Sequence, residues 1–190
     1  MKRLFITGIP AAGKSHLAKI VAEKTGGIVV SLDDLRESLA SDPHYAPWVN
    51  FYIEKDEEAY YRDTSPADQW KNLVAQSEAL WPAFLEKIRS YDTEKRPVIF
   101  ECVNILPHLA KRDLDFPGIV LIGSSHEEIL KRNMENPRWG NTKHLQELEA
   151  DSFFTIERPQ YQSEAKKYGY PVFETADAAL PEALRILGGL

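Results

Sequence analysis

The chain has little cysteine, no long hydrophobic run and no excess of positive charge, and each shortage excludes a class of protein. Cys102 is the only cysteine among 190 residues, so neither an intramolecular disulfide nor a cysteine-based zinc cluster can form. No apolar run reaches membrane-spanning length, and the strand after Met1 is too short for the apolar core of a signal peptide. We therefore expect a cytoplasmic protein with Cys102 as a small buried strand residue.

Basic residues are outnumbered by acidic ones. The chain has 29 Asp and Glu against 23 Lys and Arg, which gives a net charge of -6. A long nucleic acid requires several cations gathered against its phosphates, so this balance argues against a nucleic-acid partner. A small anionic ligand needs only a few local cations and stays compatible with the composition. The length and the 43% hydrophobic content are typical of one folded domain.

Short, nearly continuous apolar runs alternate with helical patterns along the chain. This alternation is typical of an α/β protein whose parallel strands are covered by helices on both faces. The predicted strands are Arg3–Thr7, Gly27–Ser31, Pro97–Cys102, Gly118–Ile122 and Pro171–Phe173.

Three predicted helices have recognisable ends. Lys14–Lys24 shows one apolar face and stops at Gly26-Gly27, whose second residue begins the next strand. Ser65 is the start of a capping box followed by proline, and the helix behind it contains Pro82 as a predicted kink. Ser125 begins another helix, which should end near Asn136. Long intervals, from Leu32 to Arg96 and from Gly123 to Tyr170, predict segments that cover a ligand at the carboxyl edge of the sheet.

The stretch "ITGIPAAGKSHLAKI" carries the most specific signal in the chain. Gly8, Gly13, Lys14 and Ser15 fit G-x-x-x-x-G-K-[ST], a loop that binds nucleotide phosphates between a strand and a helix. Successive backbone N–H groups and the positive end of the helix dipole would face the anion. Lys14 would reach the β- and γ-phosphates, and the Ser15 hydroxyl would bind Mg²⁺. The alternative is a glycine turn followed by a helix that happens to begin with lysine.

Alanine is the smallest side chain that could stand at the variable positions of this loop, so we interpret the phosphate site as intact. The predicted ATP-binding residues of the loop and its helix are Gly8, Ala11, Ala12, Gly13, Lys14, Ser15 and His16.

The stretch "VVSLDDLRE" places two carboxylates and an arginine just after the second strand. Asp33 could accept the proton of an attacking hydroxyl or hold a metal-bound water, and Arg36 could bind an anionic substrate. The alternative is a helix N-terminus, where the dipole favours Asp33 and Asp34. The sequence leaves open which aspartate points inward.

The order of "GIPAAGKS", "SLDDLR", "VIFE" and a late arginine-bearing segment resembles the adenylate-kinase-like P-loop kinases. That group includes nucleotide, shikimate, gluconate and polynucleotide kinases. The resemblance runs through nearly the whole chain, but only the phosphate loop is highly specific. It implies a single domain over 1–190, with a five-stranded parallel sheet in the order 2-3-1-4-5, a helical substrate-binding insertion at 35–96 and a lid at 136–145.

The same resemblance implies roles for individual residues. Asp33 looks like the carboxylate that orients or deprotonates the acceptor, with Arg36 on a substrate phosphate. Glu101 closes "VIFE" and looks like a substrate-side carboxylate or one directed at the metal's water shell; the alternative is a simple ion pair. Arg132 and Arg138 look like the lid arginines, Arg132 near the nucleotide and Arg138 on the transferring phosphate, although both could instead lie on a solvated helix face.

Arg158 is a further arginine after the lid and a weaker match. His44 and Asn104 are polar residues near the expected cleft edges. The chain departs from its relatives after strand two, where it lacks the nucleoside-binding pattern of nucleoside monophosphate kinases. It also lacks the glycine-rich third-strand motif of shikimate kinases. The segment after strand two is instead rich in aromatic residues, which could stack a base, line a sugar pocket or form the core of a small helical subdomain. They are Tyr45, Trp48, Phe51, Tyr52, Tyr60 and Tyr61.

These observations favour an ATP- and Mg²⁺-dependent kinase that transfers the γ-phosphate to a hydroxyl or phosphate of a small molecule, such as a sugar, an acid or a nucleotide derivative. One alternative is a kinase for a polynucleotide 5′-hydroxyl or a tRNA-linked group, and a kinase of the toxin type acting on a nucleotide sugar is another. A third is an ATPase switch without an acceptor. No feature of the sequence indicates an oligomeric state. Many similar kinases are monomers, which favours a monomer for this protein.

Overall fold

Five parallel strands form one sheet in the computed structural model, which describes residues 2–91 and 95–188. The strands are β1 Arg3–Gly8, β2 Ile28–Ser31, β3 Val98–Glu101, β4 Gly118–Leu121 and β5 Val172–Phe173. Their order is β2-β3-β1-β4-β5, which confirms the predicted order 2-3-1-4-5. Every residue of β3 and β4 is buried, as continuous apolar runs predict for strands covered on both faces.

Helices connect the strands and cover the sheet on both sides. They are α1 Lys14–Thr25, α2 Leu32–Ser38, α3 Ala46–Val49, α4 Glu57–Asp63, α5 Pro66–Arg89, α6 Pro107–Asp113, α7 His126–Glu135, α8 Lys143–Asp151, α9 Arg158–Tyr168 and α10 Ala176–Leu187. A 3₁₀ turn, Leu39–Ser41, follows α2, and a π-helical segment, Ser152–Glu157, joins α8 to α9.

Local sequence signals account for several helix ends. Ser65 accepts a hydrogen bond from the Asp68 amide at the start of α5, and Ser125 does the same for Glu128 at the start of α7. Gly26 ends α1 in the left-handed conformation that glycine adopts without strain. Helix α5 continues through Pro82 to Arg89, so the proline does not end the helix.

The long helix α5 belongs to the main hydrophobic core. Leu80, Trp81, Phe84 and Ile88 are almost fully buried and lie in the same cluster as the strand residues. The predicted insertion 35–96 is therefore anchored to the sheet by its last helix. Its residues 92–94 lie outside the described residues, as do Met1, 189 and 190 at the ends of the predicted domain. None of the described helices is both long and apolar enough to cross a membrane.

The carboxyl ends of three neighbouring strands meet at one edge of the sheet. Gly8 ends β1, Ser31 ends β2 and Glu101 ends β3, and the strand order places β3 between β2 and β1. The phosphate loop, the Asp-Asp-x-Arg turn and the residues after β3 therefore converge on a single region. Open α/β sheets bind ligands at this edge.

Gly118 has no room for a side chain, although its backbone is ordinary strand. A Cβ there would lie 2.0 Å from the Phe5 ring, which is fully buried and held edge-on by Phe116 and Tyr170. We expect Gly118→Ala to lower the free energy of unfolding by about 3 kcal/mol, the upper end of overpacking costs. Urea denaturation measures this change.

Gly26→Ala is the matched control, because a Cβ at that position would have nothing within 4 Å of it and only the positive φ of 65° opposes the substitution. We expect it to cost about 1 kcal/mol. Equal losses for the two variants would contradict the packing argument.

Candidate functional site

The phosphate loop closes against the end of β4. The Ile9 amide donates to the Leu121 carbonyl at 3.1 Å, and a Cβ on Gly8 would lie only 1.8 Å from that carbonyl oxygen. Ala11 adopts a left-handed φ of 56°, and Gly13 begins α1 with a φ of 95°. Glycine and alanine at these positions therefore let the backbone turn toward the helix N-terminus.

Lys14 carries a charge that is almost fully buried at the centre of the site. Its Nζ donates to the Ile9 carbonyl at 2.7 Å. Burial and then the charge of Arg138 lower its pKa to about 8, while Glu101 and Asp33 act in the opposite direction. Few groups compensate this ammonium, so an anion above the loop would be bound strongly.

A cavity of about 200 Å³ opens above the loop and the first turn of α1. Its lining residues are Ala11, Gly13, Lys14, Ser15, His16, Arg132, Asn133, Asn136 and Arg138. Of the predicted nucleotide residues, Gly8 and Ala12 do not line it; Gly8 packs on β4 and Ala12 is buried in the core. These two residues hold the loop against β4 and the core and do not contact the cavity.

Arg132 of α7 reaches across to the phosphate loop. Its Nη1 donates to the Ala11 carbonyl at 3.3 Å, and its Nε lies 3.2 Å from the Glu128 carboxylate. The side chain is about 39% exposed, so one edge of the guanidinium faces the cavity and solvent. This places Arg132 beside the cavity above the phosphate loop.

The structure separates the two aspartates of "DDLR". Asp33 is partly buried, and its Oδ1 lies 2.9 Å from Arg36 Nη1. Asp34 is exposed, and its backbone amide is capped by the Ser31 hydroxyl at 3.3 Å. Ser31, rather than either aspartate, therefore caps α2, and Asp33 is the aspartate that packs inward, beside Arg36 and without lining the cavity above the loop.

Asn104, after β3, fixes the Asp33–Arg36 pair in place. Its fully buried Oδ1 accepts from Arg36 Nη1 at 3.2 Å, while its Nδ2 donates to Gln76 and Ser77 of α5. Cys102 also lies 3.6 Å from Asp33 Oδ1, so the thiol is buried beside the site just past β3 rather than within a strand. Burial raises the pKa of this thiol well above its usual value.

Glu101 lies beneath the loop, next to Ser15 and Lys14. It is almost fully buried, and its Oε2 has no hydrogen-bond partner among the described residues. Burial raises its pKa, and the charge of Lys14 and a hydrogen bond from Ser15 oppose that shift. Like Asp33, it does not line the cavity above the loop, and Ser15 and Lys14 are the polar groups beside it.

A second cavity, of about 230 Å³, lies between the segment after β2 and the segment after β4. Its walls contain the rings of Tyr52, Tyr60, Tyr61 and Trp139. Trp139 lies 5.8, 5.7 and 5.9 Å from the three tyrosine rings, measured between centroids. The predicted lid at 136–145 thus contacts the predicted insertion through aromatic side chains. Three of the aromatic residues after β2 therefore face a cavity, whereas Tyr45 and Trp48 pack against the core.

Arg138 lines both cavities. Its charge also lowers the pKa of Lys14, which requires the two cations to be close. A group bound between Lys14 and Arg138 would therefore lie at the junction of the loop cavity and the aromatic cavity.

Glu157 is the site residue that sequence reasoning missed. It lines the aromatic cavity at the end of the π-helical segment, and its Oε2 has no partner among the described residues. Burial raises its pKa to about 7, against the opposing charges of Lys14 and Arg138. No periodic pattern marks a π-helical turn, although such turns are frequent at functional sites.

Two other predicted residues lie away from the cavities. Arg158 pairs with Glu174 at 2.8 Å and stacks over Phe154, so it does not line either cavity. His44 is exposed and contacts Tyr45 edge-on. The structure gives neither residue a place at the site.

A buried pair of carboxyl groups, Glu57 and Glu149, connects α4 to α8 behind Trp139. Both are less than 10% exposed, and Glu149 also accepts from Asn133 and from the Gly140 amide. Burial and the hydrogen bond with Glu149 raise the pKa of Glu57 to about 8. Helices α4 and α8 are therefore joined by a hydrogen bond between carboxyl groups, which needs a proton.

No protein-family model matches the chain, and no curated protein matches it either. Solved structures resemble it in fold. Shikimate kinase from Acinetobacter baumannii in complex with shikimate superposes with a TM-score of 0.56 at 17% identity, covering 99% of this chain and 94% of that one. Shikimate kinase from Bacteroides thetaiotaomicron gives 0.55 at 14% identity, covering 98% of each chain.

Deoxyadenosine kinase from M. mycoides with bound dATP gives a TM-score of 0.52 at 15% identity, covering 99% of this chain and 100% of that one. At these identities the likeness establishes a shared fold. The substrates in the names of these proteins are substrates of those proteins and do not identify one for this chain.

The Glu57–Glu149 pair predicts how stability changes with pH. Glu57 keeps its proton in the folded state up to about pH 8, whereas the unfolded chain loses it near its ordinary pKa of about 4.3. The contribution of this proton to the free energy of unfolding is therefore fully present below the ordinary Glu pKa of about 4.3. It is lost as the pH rises through about 8. We expect Glu57→Gln, which cannot ionise, to raise the thermal midpoint at pH 8 relative to the unmodified protein and to flatten its decline from pH 5.

Glu58→Gln is the control on the same helix, because that side chain is 62% exposed. It should leave the pH profile of the thermal midpoint unchanged. Identical profiles for Glu57→Gln and the unmodified protein would contradict the proposed proton-dependent link.

Proposed function

We propose that this chain, which has the fold of the adenylate-kinase-like P-loop kinases, is an ATP-dependent kinase that phosphorylates a small-molecule acceptor. The observation that carries the proposal is the adjacency of two cavities through Arg138. One lies above the phosphate loop with the buried charge of Lys14, and the other is walled by aromatic side chains. A phosphate held at the junction would face an acceptor in the aromatic cavity, which is the arrangement that direct transfer requires.

ATP would bind with its phosphates along the loop. The backbone amides around Gly13, the α1 N-terminus and Lys14 supply positive potential there. Arg132 would contact the nucleotide, and Arg138 would stabilise the charge on the transferring group. Segment 136–145 would act as the lid and segment 35–96 as the acceptor-binding insertion.

The residues beside Lys14 fit a magnesium ion shared with ATP. Ser15 offers a hydroxyl and Glu101 an unpaired carboxylate oxygen, and Mg²⁺ prefers such oxygen ligands. Within residues 2–91 and 95–188, no cluster of three or more His, Cys, Asp or Glu side chains could hold a metal. A site completed by nucleotide phosphates is the usual arrangement for Mg²⁺. The ion would neutralise phosphate charge when bound.

Asp33 would act on the acceptor. Arg36 and Asn104 hold its carboxylate in one orientation, at the carboxyl edge of β2 and near Lys14. In that place it can accept the proton of a hydroxyl that attacks the γ-phosphate. Most of the rate increase would come from positioning and charge stabilisation, as in other phosphoryl transfers.

The size of the aromatic cavity favours a small acceptor over a polynucleotide. About 230 Å³ is below the roughly 300–1,000 Å³ typical of drug-sized ligand sites. Transfer of label from γ-labelled Mg-ATP into a metabolite fraction, compared with a total RNA fraction, tests the proposal. Label in a metabolite supports it, label only in RNA favours a polynucleotide kinase, and release only as free phosphate, whatever acceptor is added, favours an ATPase switch.

Asp33 and Asp34 form a matched pair for testing the acceptor-side base. We expect Asp33→Asn to reduce phosphoryl transfer by about 10²–10⁴-fold, because general-base catalysis contributes that much, and to leave ATP affinity nearly unchanged. Asp34→Asn should retain full transfer, since that side chain is exposed. Full activity of Asp33→Asn would refute the assignment of the base.

The lowered pKa of Lys14 predicts that the protein takes up protons when ATP binds. This pKa of about 8 should rise when phosphate replaces the Ile9 carbonyl, because an opposite charge favours the ammonium form. At pH 8 we expect an uptake of roughly half a proton per ATP. Calorimetry in buffers of different ionisation enthalpy measures it. Lys14→Ala should abolish nucleotide turnover, and any residual ATP binding by that variant should show no such uptake.

A further inference from the structure

Glu157 lines the aromatic cavity with a carboxyl group of which one buried oxygen has no partner. Its Oε2 is buried and accepts no hydrogen bond from any described residue. The cations nearest to it in electrostatic effect are Lys14 and Arg138, which both line the phosphate-loop cavity. When phosphates bind those two cations, Glu157 is left facing the cavity without compensation. An unpaired buried acceptor is costly, so a ligand that donates a hydrogen bond there would be favoured.

The buried amide side chains of the cavity and the Glu149 carboxyl group already have partners. Gln69 donates to the Thr64 carbonyl and accepts from Ser152, and Gln76 donates to the Trp48 carbonyl and accepts from Asn104. Glu149 accepts from several neighbouring donors. These side chains fix the walls, whereas Glu157 keeps its acceptor capacity for a ligand.

The charges that line the cavity disfavour an anionic acceptor. The lining cations are Arg36, which is held by Asp33 and Asn104, and Arg138, which is shared with the phosphate-loop cavity. The lining carboxylates are Glu37, Glu149 and Glu157. A carboxylate or phosphate on the acceptor would meet these acidic groups and would compete with ATP for Arg138.

The aromatic walls suit the face of a ring. Tyr52, Tyr60, Tyr61 and Trp139 surround the space, and burial raises the pKa of all three tyrosines. Their hydroxyls therefore stay uncharged and can exchange hydrogen bonds with a neutral ligand. Flat or ring-shaped ligands bury apolar area against such walls.

We propose that the acceptor is an uncharged ring compound with at least two hydroxyl groups, one of which donates to Glu157 while another receives the phosphate. This inference rests on the proposed kinase function and narrows its substrate class. A bond forms between the acceptor hydroxyl oxygen and the γ-phosphorus, and the bond from that phosphorus to the β–γ bridging oxygen breaks. ADP leaves with the bond's electron pair, and the hydroxyl proton passes to Asp33 and then to solvent.

A free sugar and the sugar of a nucleoside share this chemistry, and matched pairs of probes separate them. Ribose and adenosine are uncharged, and ribose 5-phosphate and AMP are their anionic counterparts; glucose and glucuronate, which keeps the ring and adds a carboxylate, form a third pair. Ligand-observed NMR measures the affinity of each compound with Mg²⁺ and a non-hydrolysable ATP analogue present, because an empty phosphate loop would itself bind the anionic compounds through Lys14 and Arg138. Transfer from Mg-ATP to each compound is then measured separately.

We expect at least one uncharged compound to bind, and its anionic counterpart to bind at least tenfold more weakly. Binding of ribose or glucose alone would indicate a sugar acceptor, and binding of adenosine alone a nucleoside. At a pH above the raised pKa of Glu157, about 7, Glu157→Gln should weaken binding of the uncharged ligand by about tenfold or more, because an amide replaces a charged acceptor. Glu147→Gln is the control, since that glutamate pairs with Lys143 on α8 outside the cavity.

Tighter binding of the anionic member of each pair would overturn the inference, and so would binding of none of the three uncharged compounds. Unchanged affinity in a folded Glu157→Gln protein would also overturn it. Binding that depends on Glu157 without transfer from Mg-ATP would instead contradict the kinase function and support the ligand class. The wild-type comparison of matched pairs requires no variant to fold.

Discussion

The buried ammonium group of Lys14 is the constraint on which the site depends. A charge removed from water needs compensation, and here a backbone carbonyl and the more distant carboxylates of Asp33 and Glu101 provide only part of it. The lowered pKa of Lys14 reflects that shortage. A bound phosphate would supply the missing negative charge, so the buried ammonium group favours binding of an anion at this position.

The surrounding structure concentrates charge at the same place. Parallel strands end together at one edge of the sheet, which brings the loop after β1 next to the residues that follow β2 and β3. Arg138 enters from the segment after β4 and lines both cavities. Aromatic contacts of Trp139 with the tyrosines after β2, and the Glu57–Glu149 hydrogen bond, connect the two covering segments. The proposed phosphate site and the proposed acceptor site are therefore adjacent.

The fold could be predicted from local signals, and the acceptor side of the site could not. Apolar runs located the strands, and the phosphate-loop motif placed Gly13 and Lys14, because these depend on residues close in sequence. The order of the strands in the sheet was predicted from the family resemblance. Glu157 escaped prediction because an acidic residue before Arg158 looks like a surface charge, and only the π-helical turn and tertiary packing direct it inward. Asp33 and Asp34 were likewise separable only once helix α2 had a fixed orientation against the sheet.

The most direct test of the central claim is a crystal structure with Mg²⁺ and a non-hydrolysable ATP analogue. We expect the Lys14 ammonium to leave the Ile9 carbonyl and contact the β- and γ-phosphates. The terminal phosphate should lie at the junction of the two cavities, in contact with Arg138 and facing Asp33. An analogue bound elsewhere, or a Lys14 ammonium still held by Ile9 with the terminal phosphate away from Arg138, would contradict the account.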